Sequence, residues 1–264
     1  MSFGSQNLDV SLGGCRVAIS AGAAGIGRTI ADAMIAAGAQ VAVFDVSPEA
    51  VAEFSATHPG GFAQVVDVAD HAAVKRFFAD VVKAFGGLDV LVNNAGIAGP
   101  TGKVEEIDPS EWERTIAVNL TGQFYCAHVV APELKKSRQG TLINMASVAG
   151  RLGYANRTPY AASKWAIVGL TKSLAIEMGP DGVTVNAILP GIVEGARMDS
   201  VIQARADAMD VSFDEMRQDY LNKISLRRMV THDDVANMAL FLCSPAGANI
   251  SGQALSVCGN VETL

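Results

Sequence analysis

Tyr160 and Lys164 stand four residues apart in the run Tyr160-Ala-Ala-Ser-Lys164. On a helix that spacing puts a phenol and an ammonium on one face. A phenol has a pKa of about 10 and is a poor base near neutrality. A cation beside it favours the phenolate, and each unit of lowering corresponds to about 1.4 kcal/mol. A phenol so placed takes a proton from an alcohol or returns one to the product oxygen. Ser147 lies thirteen residues before Tyr160, just past an apolar run, where its hydroxyl can hold the same oxygen. The plainer readings are a solvated helix face for the pair and a turn cap for the serine. Asn119 falls in the middle of a helical pattern, where asparagine is mildly unfavourable and needs a reason.

A second group of residues suits a nucleotide. Ser20-Ala-Gly-Ala-Ala-Gly25-Ile-Gly27 joins an apolar run to a helical one. Backbone N–H groups and a helix N-terminus at such a turn receive a pyrophosphate, and glycine lets the backbone come close. Asp45 ends the next apolar run, 18 residues past Gly27, in range for an acid that accepts bonds from ribose hydroxyls. A carboxylate there repels a 2′-phosphate, and neither Val46 nor Ala24 offers a cation to receive one. The pattern therefore predicts NAD over NADP. A glycine turn or strand-end aspartate alone is also an ordinary turn feature.

The elements that must position these groups are legible as periodicities. Near-continuous apolar runs at 16–20, 40–45, 61–66, 90–93, 140–145, 183–188 and 254–257 predict parallel strands covered on both faces. Helical patterns fall at 26–37, 48–56, 70–85 and 159–178. Another begins at Asp108-Pro109-Ser110-Glu111 and runs towards Lys136 with a bend at Pro132; a last one, capped by Thr231, runs to Leu242. The expected fold is α/β: a Rossmann-type doubly wound sheet of seven parallel strands with helices on both faces. It occupies a single domain over 1–264, with an irregular substrate-binding insert at about 190–228.

These motifs, in this order and at these strand ends, resemble the compact branch of the short-chain dehydrogenase/reductase family over nearly the whole chain. Ser20 to Gly27 match its TGxxxGxG turn, with Ser20 for threonine and Ala21 for the first glycine. Asp67-Val68 match its adenine-contacting pair, and Asn93-Asn94-Ala95-Gly96 its NNAG segment. Pro190-Gly191-Ile192-Val193 match the segment beside the nicotinamide. The resemblance implies a cofactor site built from Ser20, Gly22, Gly25, Ile26, Gly27 and Asp45, then Asp67, Val68, Asn93, Ala95 and Gly96, with Tyr160, Lys164, Pro190, Gly191 and Val193. It implies a catalytic set of Asn119, Ser147, Tyr160 and Lys164 that moves a hydride between a secondary alcohol and its ketone. Lys164 would also bind the nicotinamide ribose, and Asn119 would bend its helix and hold a water for a proton relay. The family's usual assembly, a homodimer or homotetramer, would use helices 110–136 and 159–178 and the last strand.

Composition narrows the partners. A net charge of −7 with no basic run excludes nucleic acid. Cys15, Cys126, Cys243 and Cys258 lie far apart, as do His58, His71, His128 and His232, so no metal site is expected. Met1 to Ser11 lacks the regions of a signal peptide, and the most apolar helical window contains Arg28 and Asp32 and is too short for a bilayer. A cytoplasmic protein without membrane contact is expected. Substrate would meet Ser147 and Tyr160, the segment 148–159 with Arg151, Asn156 and Arg157, and the insert with Glu194 and Arg197. Such groups suit a sugar, polyol or sugar acid. The plainer reading pairs these arginines with Asp199, Asp207 or Glu215 on the surface. A 3-oxoacyl-(acyl-carrier-protein) reductase-like enzyme would want an apolar trench and a basic docking patch, neither evident in the sequence. A regulatory nucleotide-binding protein without turnover would not need the four catalytic residues. A sugar-nucleotide epimerase would want a longer region after Val257.

Overall fold

In β1 (Arg16–Ser20), Val17 and Ile19 pack into one apolar cluster and Ala18 into another, and all three are fully buried. Successive strand side chains point to opposite faces, so both faces of this strand are covered. The same split recurs in β2 (Gln40–Asp45), where Val41 and Val43 oppose Ala42 and Phe44. With β3 (Phe62–Val65), β4 (Val90–Asn93), β5 (Thr141–Met145), β6 (Thr184–Pro190) and β7 (Ala254–Val257) they form one parallel sheet ordered β3-β2-β1-β4-β5-β6-β7. This computed structural model describes residues 10–263. The N-terminal stretch read as lacking a leader therefore lies almost wholly outside the described residues.

The crossovers are helical: α1 (Gly25–Ala36), α2 (Pro48–Thr57), α3 (His71–Phe85), α4 (Pro109–Ile116) and α5 (Gly122–Leu134). They continue with α6 (Thr158–Met178), α7 (Ala196–Met209), α8 (Phe213–Asn222) and α9 (His232–Cys243). Ile30 and Met34 of α1 meet Val235 and Ala239 of α9 on one face of the sheet. On the other, Phe77 and Val81 of α3 meet Cys126 and Val130 of α5, with Met178 of α6. Local signals set the ends: Ser47 accepts a bond from the Ala50 N–H, Asp70 from Ala73, and Thr231 and Asp234 cap α9 reciprocally. None of the helices among the described residues is long and apolar enough to cross a membrane.

Chain order reverses between β1 and β4, which neighbour each other while their successors wind outwards in opposite directions. That reversal opens a crevice at the strands' carboxyl ends, the usual ligand position in such sheets. Above it, α7 and α8 gather their own apolar cluster, in which Ile202, Met216 and Tyr220 meet Val148 and Ile192. The expected insert is thus two helices packed as a roof.

Of the two places where the helix expected from 110 to 136 should bend, Asn119 and Pro132, the structure breaks it at the first. A π-helical turn at Ala117–Thr121 interrupts it, while Pro132 is carried inside α5. Here Gly122 N–H reaches back to Ala117 O, five residues away. Asn119 explains the position, because its side-chain amide is bonded to both the N–H and the carbonyl of Ile97 in a neighbouring segment. Such single π turns inside α-helices often mark functional sites.

At the opposite end of the sheet, Arg16 and Asp89 join β1 to β4 by two side-chain bonds of 2.7 Å, and Ser137 Oγ adds a third to Asp89 at 2.6 Å. Burial pushes the Asp89 carboxyl up, but the bonds from Arg16 and Ser137 outweigh it and hold it below its ordinary range. A carboxyl depressed on folding contributes stability above its unfolded pKa of about 3.9 and loses that contribution as pH falls through the lower folded value. Asp89→Asn should therefore lower stability at pH 7 by about 2 kcal/mol. The difference in melting temperature from the unsubstituted protein should shrink as pH is taken below about 4.

Candidate active site

The glycine-rich turn after β1 is held by β4's extension. Ser20 Oγ accepts bonds from the N–H groups of Asn94 and Ala95, each 2.9 Å. Asn94 Nδ2 in turn donates to the carbonyls of Ser20 and Ala21, at 3.1 and 3.0 Å. A Cβ on Gly27 would stand 2.1 Å from Ala21 O, and one on Gly22 would stand 2.7 Å from the Val43 side chain. Both positions require glycine. Ala21, where the family pattern has glycine, takes φ +48, a left-handed conformation costing an L-residue roughly 1–2 kcal/mol. The turn thus survives the exchange of alanine for glycine, and Asn94 holds its strained carbonyl.

Beyond the turn, the residue capping α1 is Ala24, whose side chain satisfies none of the helix's first N–H groups. Ala24, Gly25 and Ile26 line a cavity of about 490 Å³, and so does Asp45 at the end of β2. An uncapped helix start beside close-packed glycines fits a pyrophosphate, and a carboxylate one strand away fits a ribose diol. Asp45 is 9% exposed and accepts a bond from Ser47 N–H, while the neighbouring Val46 is 63% exposed. These residues fit a nicotinamide dinucleotide, with Gly96, Pro190, Gly191 and Val193 continuing the wall.

Several expected contact residues serve as framework. Asn93 is fully buried and donates to Asn144 Oδ1 and Gln123 O, tying β4 to β5 and α5. Ser20, Gly22, Gly27 and Ala95 shape the turn from behind. Val68 packs on Gly122, and Asp67 accepts bonds from Ala69 N–H and Arg114. None of these seven is among the cavity-lining residues. Asn94, passed over in favour of Asn93, does line it. The doublet gave no signal for which of two adjacent asparagines faces the sheet.

Tyr160, Lys164 and Ser147 come together in the same cavity. Tyr160 and Lys164 share the first turns of α6, and Lys164 Nζ sits 5.6 Å from the centre of the Tyr160 ring. Lys164 is 4% exposed and donates to Met145 O, at the end of β5, at 2.8 Å. Burial, and then the positive charge of Arg197, lowers its pKa to about 7. Ser147 caps the short turn Val148–Gly150 by accepting from Ala149 N–H, which leaves its hydroxyl proton free to donate. Asn119 lies behind this wall: besides Ile97 it donates to Ser163 Oγ, and a Cβ on Gly96 would meet Asn119 Oδ1 at 3.4 Å and Lys164 Nζ at 3.5 Å.

The polar residues expected around the substrate divide. Arg157 and Arg197 line the cavity, whereas Arg151 and Asn156 do not. Arg151 is instead bound to Glu262 at 3.3 Å, and Asn156 is exposed in a left-handed turn, its carbonyl accepting from Gly102 N–H. Of the acids named as surface partners, Asp207 bonds Gln203 and Glu215 caps α8, while Asp199 forms no ion pair among the described residues with any of these arginines. Glu194, expected beside Arg197, lines the cavity too, as do Tyr154, Tyr220 and His232, which the sequence reading does not single out. Tyr154 was visible in the segment before Tyr160; Tyr220 depends on how α8 is seated.

Residues 21–260 match the model of a family described as enoyl-(acyl carrier protein) reductase. The chain belongs to the short-chain dehydrogenase/reductase family. It is 36% identical over 242 residues to the 3-oxoacyl-[acyl-carrier-protein] reductase FabG of Staphylococcus aureus, covering 90% of this chain and 94% of that protein. It is 35% identical over 232 residues to the 2-dehydro-3-deoxy-L-rhamnonate dehydrogenase (NAD(+)) of Sphingomonas sp. (strain SKA58), covering 88% of each. An NAD+-bound xylitol dehydrogenase superposes with a TM-score of 0.89 at 25% identity, covering 94% of this chain and 99% of that one. Levodione reductase gives 0.87 at 28%, covering 94% and 97%. Family members of this kind are oxidoreductases acting on CH–OH groups, and this chain is one.

A lysine lowered on folding from the ordinary value of 10.5 to about 7 binds fewer protons folded than unfolded between those values. Stability of the cofactor-free protein should therefore rise with pH across that window. Lys164→Met, which cannot titrate, should lose this rise and melt at a higher temperature than the unsubstituted protein at pH 7, as thermal unfolding from pH 6 to 10 would record.

Proposed function

We propose that the chain is an NAD-dependent dehydrogenase/reductase that interconverts a secondary alcohol and its ketone on a polar, hydroxylated substrate. The observation carrying this reading is the Lys164 ammonium, shut into the cavity wall beside the Tyr160 ring. When bound, the nicotinamide supplies the acceptor or donor of hydride. Tyr160 exchanges the hydroxyl proton with the substrate oxygen, and Lys164 stabilises the phenolate that results. Ser147 donates to that oxygen and holds it against the phenol. Asn119 keeps the π turn open and supports the floor next to Lys164. Among the described residues the Tyr160 hydroxyl has no hydrogen-bond partner, which leaves it available to substrate.

NAD is preferred because a carboxylate, Asp45, lines the site where a 2′-phosphate would sit. The named relatives include an NAD(+) dehydrogenase of a sugar acid and a xylitol dehydrogenase with NAD+ bound, which favour a sugar, polyol or sugar-acid substrate. The similarity to FabG favours a second reading, an acyl-thioester ketone on a carrier protein. Arg157, Glu194, Arg197 and His232 around the cavity weigh against an acyl chain there. Self-association as a dimer or tetramer is supported by Phe124 on α5 and Trp165 and Ile176 on α6, which are 48%, 52% and 79% exposed.

Tyr160→Phe should retain NADH binding and lose about 10²- to 10⁴-fold in kcat with any substrate found in a panel of sugars, polyols and sugar acids. With that substrate, kcat/KM for NAD+ should exceed that for NADP+ by at least about tenfold. Replacing Asp45 by Ala and Val46 by Arg should narrow or invert the ratio. A strict NADP+ preference in the unsubstituted enzyme would contradict the role given to Asp45.

A further inference from the structure

Arg157 precedes Tyr160 by three residues, at the entry to α6, and is 5% exposed. Its guanidinium lies 5.4 Å from the centre of the Tyr154 ring and 5.4 Å from that of Tyr160. Nη2 donates to Ala98 O at 2.8 Å, but Nε is enclosed and donates to nothing. Taking a charge out of water costs several kcal/mol unless a counter-charge and full hydrogen bonding replace the solvent. Among the described residues no carboxylate pairs with Arg157.

The surroundings do not supply the missing anion. Tyr154 and Tyr220 bond to each other through their hydroxyls at 3.0 Å, and burial, with Tyr220 adding to it, pushes the Tyr154 phenol up, so it stays neutral. Arg205 donates to the Tyr220 hydroxyl and Arg197 to Gly96 O, and neither is in an ion pair. This end of the cavity therefore carries Arg157, Lys164 and Arg197 against the single carboxylate of Glu194.

We propose that the substrate itself brings the anion: a hydroxy acid, or the corresponding oxo acid, whose carboxylate is received at the Nη1 edge of the Arg157 guanidinium, which is neither enclosed nor hydrogen-bonded. A planar guanidinium matches the two oxygens of a carboxylate. Three residues along the same helix entry, Tyr160 meets the alcohol carbon's oxygen, so one short segment sets both the anchor and the chemistry. The carboxylate is unchanged by the reaction. This inference rests on the dehydrogenase reading above and narrows it from polyols and sugars to acids, with Arg157 as the residue that decides.

The test compares xylonate, gluconate and 3-hydroxybutyrate with xylitol, glucitol and butan-2-ol, using the full-length enzyme and saturating NAD+. Binding to the enzyme–NADH complex is read in parallel from the fluorescence of bound NADH. At least one acid should bind and show kcat/KM about 30-fold or more above its uncharged counterpart, as expected of a charge-assisted bond. Arg157→Gln should abolish that ratio through KM, and Arg157→Lys should restore part of it, with retained NADH binding as the check on folding. Uncharged compounds matching the acids, Arg157→Gln weakening both series alike, or no acid binding at all would each overturn the proposal. Acid binding that needs Arg157 but gives no turnover would support the anion site while counting against the dehydrogenase reading.

Discussion

A positive charge inside the protein wall is the constraint around which this molecule is organised. Lys164 is almost wholly buried and bonded to one main-chain carbonyl, Met145 O, which also accepts from Gln123 Nε2. An ammonium in that position is costly until an anion faces it. The depressed pKa of Lys164 registers that cost in the cofactor-free protein. In the proposed reaction the phenolate formed on Tyr160, one helical turn away, would be the anion that faces it.

The architecture delivers this pair to the cofactor by topology. Strand order reverses between β1 and β4, so the turn after β1, the segment after β4 and the end of β5 converge on one crevice. Ser20 and Asn94 lock the first two together, and Lys164 and Gln123 fasten on the third. The π turn at Asn119 belongs to the same assembly, since a regular helix would not carry that amide to both main-chain groups of Ile97. Irregular backbone is therefore concentrated where the polar groups meet, while the two apolar faces of the sheet remain regular.

Much of the site was legible because its parts are local. The helical spacing of Tyr160 and Lys164, the glycine turn and Asp45 at a strand end are each fixed by a few consecutive residues and by covalent geometry. Less legible were choices between neighbours. Asn93 turned inwards to Asn144 and Gln123, and Asn94 took the position at the turn. Arg151 found Glu262, 111 residues away, whereas Arg157, of the same type and six positions on, was left in the cavity without an acid. Of the two bends expected in the helix from 110 to 136, Pro132 gives none and sits inside α5, while the break falls at Asn119, whose side chain has partners outside its own helix.

By itself the sequence determined the class of fold, the order of its elements and the nucleotide and phenol–ammonium motifs, because hydrophobic period and turn chemistry act over a few residues. The tertiary structure alone decided which polar side chains share a cavity, which serve as framework and which buried cation lacks a counter-charge. Those outcomes depend on contacts between segments far apart in the chain, and on how much water each contact excludes.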